Sequence, residues 1–272
     1  MRSVLSDGSI QVTSPVAVTI VPGNPGMFSV DPTANPRIAV AQHASSYAHG
    51  LVSLDGSAAT GDTETVTVGG RPYTYTTAPG DTLDTIRDNL VALINNDPQV
   101  TASAAIDFDR IILLARVAGP AGDGISYTTS ISSGASTTLT AFGSALCCAN
   151  IKGALVTPQN PAAPGEFIDF YATGLGLPLI SPLNQGLITT GGIYPIGAPP
   201  TAPPFTTSLF VSAICGGTSA DVLTSSLLPG TFATYLVEIH LNSSLTTKWD
   251  TACTIAQATY VSYPVTIQVQ GQ

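Results

Sequence analysis

Charge is scarce in this chain. Lys, Arg, Asp and Glu make up 9% of its 272 residues, and only eight residues are Lys or Arg. With a formal net charge of -9 there is no basic surface for a phosphate backbone, which argues against nucleic acid as a partner. No apolar run approaches the roughly 18 residues of a membrane-spanning helix. The four cysteines, Cys147, Cys148, Cys215 and Cys253, show no C-x-x-C spacing, so metal or thioredoxin-type chemistry has little support. A G-x-S-x-G elbow, a phosphate-binding loop and an H-E-x-x-H pair are all missing. The sequence therefore points to no enzyme activity, no cofactor and no metal. Met1 to Asp7 lacks the apolar core of a secretion signal, although the composition looks extracellular. The reading expects the chain to begin at or near a processed end.

What is present favours strands and turns. The chain is 44% hydrophobic, with 26 Gly and 21 Pro, and Ser and Thr fill the polar positions. Two segments near its ends are much alike: Ser14-Pro15-Val16-Ala17-Val18-Thr19-Ile20-Val21 and Ser262-Tyr263-Pro264-Val265-Thr266-Ile267-Gln268-Val269. Both alternate β-branched residues at period two, as half-buried strands do.

Three parts are expected: 1–53, the opening strand and the start of a sandwich; 54–143, an inserted α+β module; and 144–272, the rest of the sandwich. In the first, Pro22 to Phe28 must turn the chain, with Met27 and Phe28 as a buried apolar plug. In the module, Thr63 to Val68 and Arg71 to Thr77 alternate around Gly69-Gly70, a hairpin pattern. Asp81 is placed to cap a helix bearing Leu83, Ile86, Leu90, Leu93 and Ile94 on one face, stopped by Asn96-Asp97-Pro98. Val100 to Ile106 and Arg110 to Arg116 form a second hairpin, and Ile125 to Ile131 adds an edge strand, so one helix covers a small sheet. The last part is all β: Glu166 to Ala172, Thr207 to Ile214, Thr234 to Leu241, Ala252 to Gln257 and Tyr263 to Gln270, joined by Pro- and Gly-rich connectors. The fold class expected is mainly β, an immunoglobulin-like Greek-key sandwich with an inserted small α+β domain.

Of the three disulfide connectivities possible, Cys215 with Cys253 is favoured, since both fall within expected strands of the last part. For Cys147 and Cys148 a vicinal bridge and free buried thiols both fit. His43 and His49 lie in a Gly/Ser/Tyr-rich stretch at a spacing that matches no common zinc motif, so they read, with His240, as hydrogen-bonded side chains. Asp107, Asp109 and Asp123 read as turn residues rather than calcium ligands. Asn242-Ser243-Ser244 is an N-glycosylation pattern, and the Pro- and Thr-rich stretch Thr201 to Thr207 suits O-glycans. Trp249 reads as a core anchor.

The run Asn160-Pro161-Ala162-Ala163-Pro164-Gly165-Glu166-Phe167-Ile168-Asp169-Phe170-Tyr171-Ala172-Thr173-Gly174-Leu175-Gly176 resembles the C-terminal β-sandwich domain of large secreted proteins of acidobacteria such as Solibacter. Leu227-Leu228-Pro229-Gly230, Tyr235-Leu236-Val237-Glu238-Ile239 and Val18 to Phe28 extend the likeness. Lys248 to Cys253 departs from it, where a glycine-rich hairpin is usual. The middle part is similar to a small repeat unit of phage-tail and bacterial surface proteins, through Asp62 to Val68 and Pro79-Gly80-Asp81-Thr82-Leu83. These resemblances imply an extracellular structural or adhesive role.

In tandem members of that sandwich family, the strand equivalent to Val16 to Val21 closes the preceding domain. Here no preceding domain is expected, and a β-branched strand alone in water is a liability. Two pairings fit: within the chain, beside the last strand or on the small module, or, the favoured reading, donation, in which residues 12–21 pair with the sheet of the next copy, with Val12, Val16, Val18, Ile20, Met27 and Phe28 at the subunit interface. Donor and acceptor surfaces differ, so the contact propagates into a filament or ring. The expected protein is a head-to-tail structural subunit of an extracellular bacterial filament or surface appendage, with itself and glycans as partners. The alternative is a monomeric secreted adhesive or carbohydrate-binding module.

Overall fold

A computed structural model describes residues 2–4, 10–12, 23–105, 108–176, 186–187, 192–196 and 209–271. The chain begins with a hairpin in which β1 (Arg2–Val4) pairs antiparallel with β2 (Ile10–Val12), Arg2 opposite Val12. Strands β3 (Gly26–Met27) and β4 (Ala41–His43) then lie end to end along one edge of a later strand.

The module follows. Its elements are β5 (Tyr47–Gly56), β6 (Thr63–Val68), β7 (Arg71–Thr76), α1 (Leu83–Ile94), β8 (Val100–Ala104), β9 (Arg110–Ala118), β10 (Tyr127–Ile131) and β11 (Thr137–Ala141). They form two antiparallel sheets, ordered β10-β6-β7 and β11-β5-β9-β8, rather than the one sheet expected. The β6–β7 hairpin turns on Gly69 (φ 53°) and Gly70 (φ 79°), the left-handed pair a two-residue primed turn needs. Thr82, not Asp81, caps α1, accepting from the Thr85 N–H at 3.3 Å. Asp81 instead accepts from the Ala78 N–H and the Tyr75 hydroxyl, both at 2.7 Å, and so fixes the turn before the cap. Ile86, Leu90 and Ile94 are buried on the face of the helix that meets both sheets.

The remaining strands are β12 (Phe167–Thr173), β13 (Val211–Cys215), β14 (Thr218–Leu227), β15 (Tyr235–His240), β16 (Lys248–Gln257), β17 (Tyr260–Val261) and β18 (Val265–Val269). Ladders join β4, β12, β15 and β14 in that order on one side, and β13, β16 and β18 on the other. Lettered A to G in chain order from β4, these are the ABED and CFG sheets of an immunoglobulin-like Greek-key sandwich. β14 spans both: Thr218 to Ala220 pair with β13, and Asp221 to Leu227 with β15. The core between the sheets holds Ile168, Phe170, Val237, Ile239, Ile255, Val265, Ile267 and their buried neighbours. The module is inserted between A and B.

Residues 37–39 cross to the far sheet and run parallel to β18: the Ala39 N–H donates to the Thr266 carbonyl at 2.9 Å and the Thr266 N–H to the Arg37 carbonyl at 2.7 Å. Ala162 also pairs with β18, beside Val269, so the last strand is not left as a bare edge.

Several expectations shift. The boundary at residue 54 falls inside β5, one continuous strand whose Tyr47 to Ser53 pair with β9, so the module starts at Tyr47. At its other end Leu146 belongs to the module core and Cys147 bridges to His49. β5 and most of β14 carry too few alternating β-branched residues to be read as strands, and the threonines of β11 sit in a polar stretch without apolar alternation. His43 and His49 accordingly sit on β4 and β5 rather than in a loop. Ile106 and Asp107 lie outside the described residues. Among the described residues no helix is long and apolar enough to cross a membrane.

Candidate functional site

The assembly reading centres on the segment ahead of the sandwich. Val16, Val18 and Ile20 lie outside the described residues, as does the stretch Thr201 to Thr207. Val12 is paired with Arg2 in the first hairpin. From residue 23 the chain runs against β12. The Asn24 N–H donates to the Gly174 carbonyl at 2.7 Å and the Phe28 N–H to the Tyr171 carbonyl at 2.9 Å. Gly174 adopts φ 73°, and a side chain there would strike the Asn24 carbonyl, so glycine is required for this close crossing. Met27 is partly buried and packs on its own sandwich core, whereas Phe28 is 42% exposed. Successive side chains of an extended chain point to opposite sides, so the pair cannot form one plug.

Cys215 and Cys253 stand directly opposite each other on β13 and β16 and are joined by a disulfide, both buried in the sandwich core. The sulfurs of Cys147 and Cys148 meet as a vicinal pair beside the Pro164 carbonyl. Asn242 sits in the β15–β16 turn, its Oδ1 accepting from the Ser244 N–H (2.9 Å) and hydroxyl (2.6 Å), so the residue shapes the turn that would carry a glycan. Asp123 accepts from the Ala149 N–H, and Asp109 pairs with Arg87 at 3.2 Å. Trp249 is 54% exposed rather than a core anchor, because it lies where β16 slips register against β18.

The three histidines gather where module meets sandwich. His43 is buried, its Nδ1 2.6 Å from Glu166 Oε1, while Glu166 Oε2 accepts from the Ala163 N–H at 2.8 Å. His49 stacks on Phe167 at 4.2 Å, and His240 meets the same ring edge-on at 5.1 Å. Burial, aided by the positive charges of His240 and Lys152, holds the His49 imidazole down at about 4. Arg110 of the module reaches Asp221 of the sandwich at 2.9 Å and lies against Phe108 and Phe142. His49, Tyr127, Phe142, Cys147 and His240 line a cavity of about 380 Å³ at this joint.

One cluster escaped the sequence reading. Ile168 and Phe170 point into the core, so Asp169 between them faces outward, as does Glu238 between Val237 and Ile239. Asp169 and Glu238 are direct cross-strand partners. Burial pushes the Asp169 carboxyl up to about 6, and burial with the facing Asp169 charge pushes Glu238 up to about 7; Lys152 opposes both shifts. In the sequence each acid sits in an ordinary alternating strand, and only the register of two strands 69 residues apart brings them together.

No protein-family model matches the sequence, and no curated protein matches it significantly. Among solved structures the chain is similar to the I9-I11 tandem of titin, at 9% identity and a TM-score of 0.19. The likeness covers 85% of this chain and 62% of the tandem, and at that score it carries nothing about function or arrangement.

Proposed function

We propose that the protein is a structural, non-catalytic subunit of an extracellular bacterial filament or surface assembly, joined head to tail by donation of residues 12–21 to the next copy. One observation carries the reading. Among the described residues all seven strand positions of the sandwich are filled from Ala41 onward, with Gly26–Met27 extending the A position, so the sandwich has its strands without calling on the β-branched stretch Val16 to Val21. A strand that its own sandwich does not need is suited to pairing elsewhere, main-chain bonds supplying affinity and alternate side chains the register. The Cys215–Cys253 disulfide fits an oxidising compartment. The resemblance of Asn160 to Gly176 to acidobacterial secreted sandwiches supports the same setting.

Negative-stain microscopy of the purified protein tests the proposal, with long regular fibres as the expected result. Deleting residues 1–21 should leave soluble monomers with the sandwich intact by circular dichroism. Fibres formed normally by the truncated chain would refute strand donation.

A second reading, an adhesive or carbohydrate-binding module, is favoured by an open groove of about 570 Å³ across β16 and β18. Tyr263, 77% exposed, lines it with Asn35, Arg37, Lys248 and Asp250, a mixture of ring, amide and charge that suits a saccharide. Dispersed particles that bind glycans would favour this reading over the filament.

A further inference from the structure

Four oxygen-bearing side chains form one rank across the outer face of the ABED sheet. Gln42 on β4 opposes Asp169 on β12, Asp169 opposes Glu238 on β15, and Glu238 opposes Thr224 on β14. Cross-strand partners project from the same side of a sheet with Cβ atoms about 5 Å apart, so the four form a continuous row. Like charges directly opposite each other repel, and here the repulsion is not relieved by water, since Asp169 is only 8% exposed.

The hydrogen bonding of the row is incomplete. Asp169 Oδ1 and Thr224 Oγ1, which flank Glu238, are both buried without a hydrogen-bond partner among the described residues. Gln42 Oε1 accepts from the Tyr171 hydroxyl at 2.7 Å and retains a second lone pair. Buried oxygens left unpaired in a folded protein call for an explanation, and a bound ion is one. The charged and titratable groups nearest the row are Lys152, which acts on both carboxylates without an ion-pair contact, and His240 and Asp221 in the adjacent rank toward the module.

We propose that Asp169 and Glu238 hold a hard divalent cation, best matched by calcium, with Gln42, on the other side of Asp169, contributing a neutral oxygen. The donor set is all oxygen, which selects calcium or magnesium over zinc or copper. The row lies across four strands of fixed spacing rather than on a short loop, and the larger ion with its variable coordination tolerates that better than octahedral magnesium. Among the described residues no three His, Cys, Asp or Glu side chains converge, so the site depends on two carboxylates and a neutral oxygen. The inference stands on one subunit and does not depend on assembly.

Isothermal titration of the full chain, freed of metal with a chelator, tests this with calcium chloride and magnesium chloride as the probes. Calcium should bind at one site per chain, more tightly than magnesium, and should raise the Tm by several degrees. Asp169→Asn and Glu238→Gln should each weaken calcium at least tenfold. In chelator both variants should be as stable as the parent or more so, because the repulsion is gone. Gln42→Leu keeps both charges and should weaken calcium several-fold. Absence of calcium binding by the folded parent chain, or an affinity unchanged in both carboxylate variants, overturns the assignment; stabilisation by acid alone would then identify a shared proton in place of the metal.

Discussion

The module and the sandwich differ in how far they satisfy their buried side-chain oxygens. In the module, Asp97 accepts from Arg71 (2.7 Å), Tyr73 (2.6 Å) and the N–H groups of Gln99 (2.7 Å) and Val100 (3.0 Å). Burial alone would raise the Asp97 carboxyl, but those donors outweigh it and hold it at about 2. Glu64, also buried, accepts from the hydroxyls of Thr137 (2.7 Å) and Thr77 (3.1 Å). In the sandwich Asp169 Oδ1, Thr224 Oγ1, Gln257 Oε1 and Gln268 Oε1 are buried without partners among the described residues. The module's own unpaired buried atoms among the described residues are the Arg110 Nε and Nη1 nitrogens at the joint, so the contrast is one of oxygens: the module pairs its buried acids from within, and the sandwich leaves several oxygens for an ion or another chain.

The comparison can be broken most severely at the disulfide. Replacing Cys215 and Cys253 by Ala opens a crosslink 38 residues apart, worth about 4 kcal/mol by loop-closure entropy. Chemical unfolding should show the sandwich transition moving while the module's stays in place; a single common shift would mean that the two unfold together. Acidification is next in size and acts on the joint. His49 has its folded pKa depressed to about 4 from 6.5, so its contribution is fully present above pH 6.5 and is lost as pH falls toward 4. That loss approaches about 3 kcal/mol; because Asp169 and Glu238 gain stability over the same range as they take up protons, it is read as a difference, the parent losing stability relative to His49→Phe as pH falls from 6.5 toward 4. The smallest effect is expected at Asp97→Asn, which removes the charge facing Arg71 and Tyr73 but keeps an acceptor for the two backbone N–H groups. It should cost about 2 kcal/mol, confined to the module transition. Loss of the sandwich transition in that variant would contradict the independence of the two units.

Local pattern made much of this architecture legible. Thr63 to Val68, Gly69-Gly70 and Arg71 to Thr76 declare their hairpin by alternation and by the glycine pair, and α1 by its apolar spacing. Asn160 to Gly176 marks the entry to β12, and the structure gives its residues roles: Glu166 receives His43, and Gly174 lets Asn24 cross. β5 was hidden because its interior residues, Ala48, His49 and Gly50, carry no β-branched signal and are held as a strand by β9 and by the His49–Cys147 bridge. The Asp81 and Thr82 roles were exchanged because both residue types cap helices, and the choice falls to Asp81's bonds with Ala78 and Tyr75. Least legible was the rank of Gln42, Asp169, Glu238 and Thr224, since cross-strand register is a property of the folded sheet. The placement of Val16 to Ile20 rests on sequence alone.

The parallel pairing of residues 37–39 with β18 has a mechanical side. When two strands run the same way and are pulled from opposite ends, the load is shared by every bond between them at once. A hairpin pulled from its two open ends yields one rung at a time. Tension that drew residues 37–39 and β18 toward opposite ends of the sandwich would load the Ala39–Thr266 and Arg37–Thr266 bonds together, in shear.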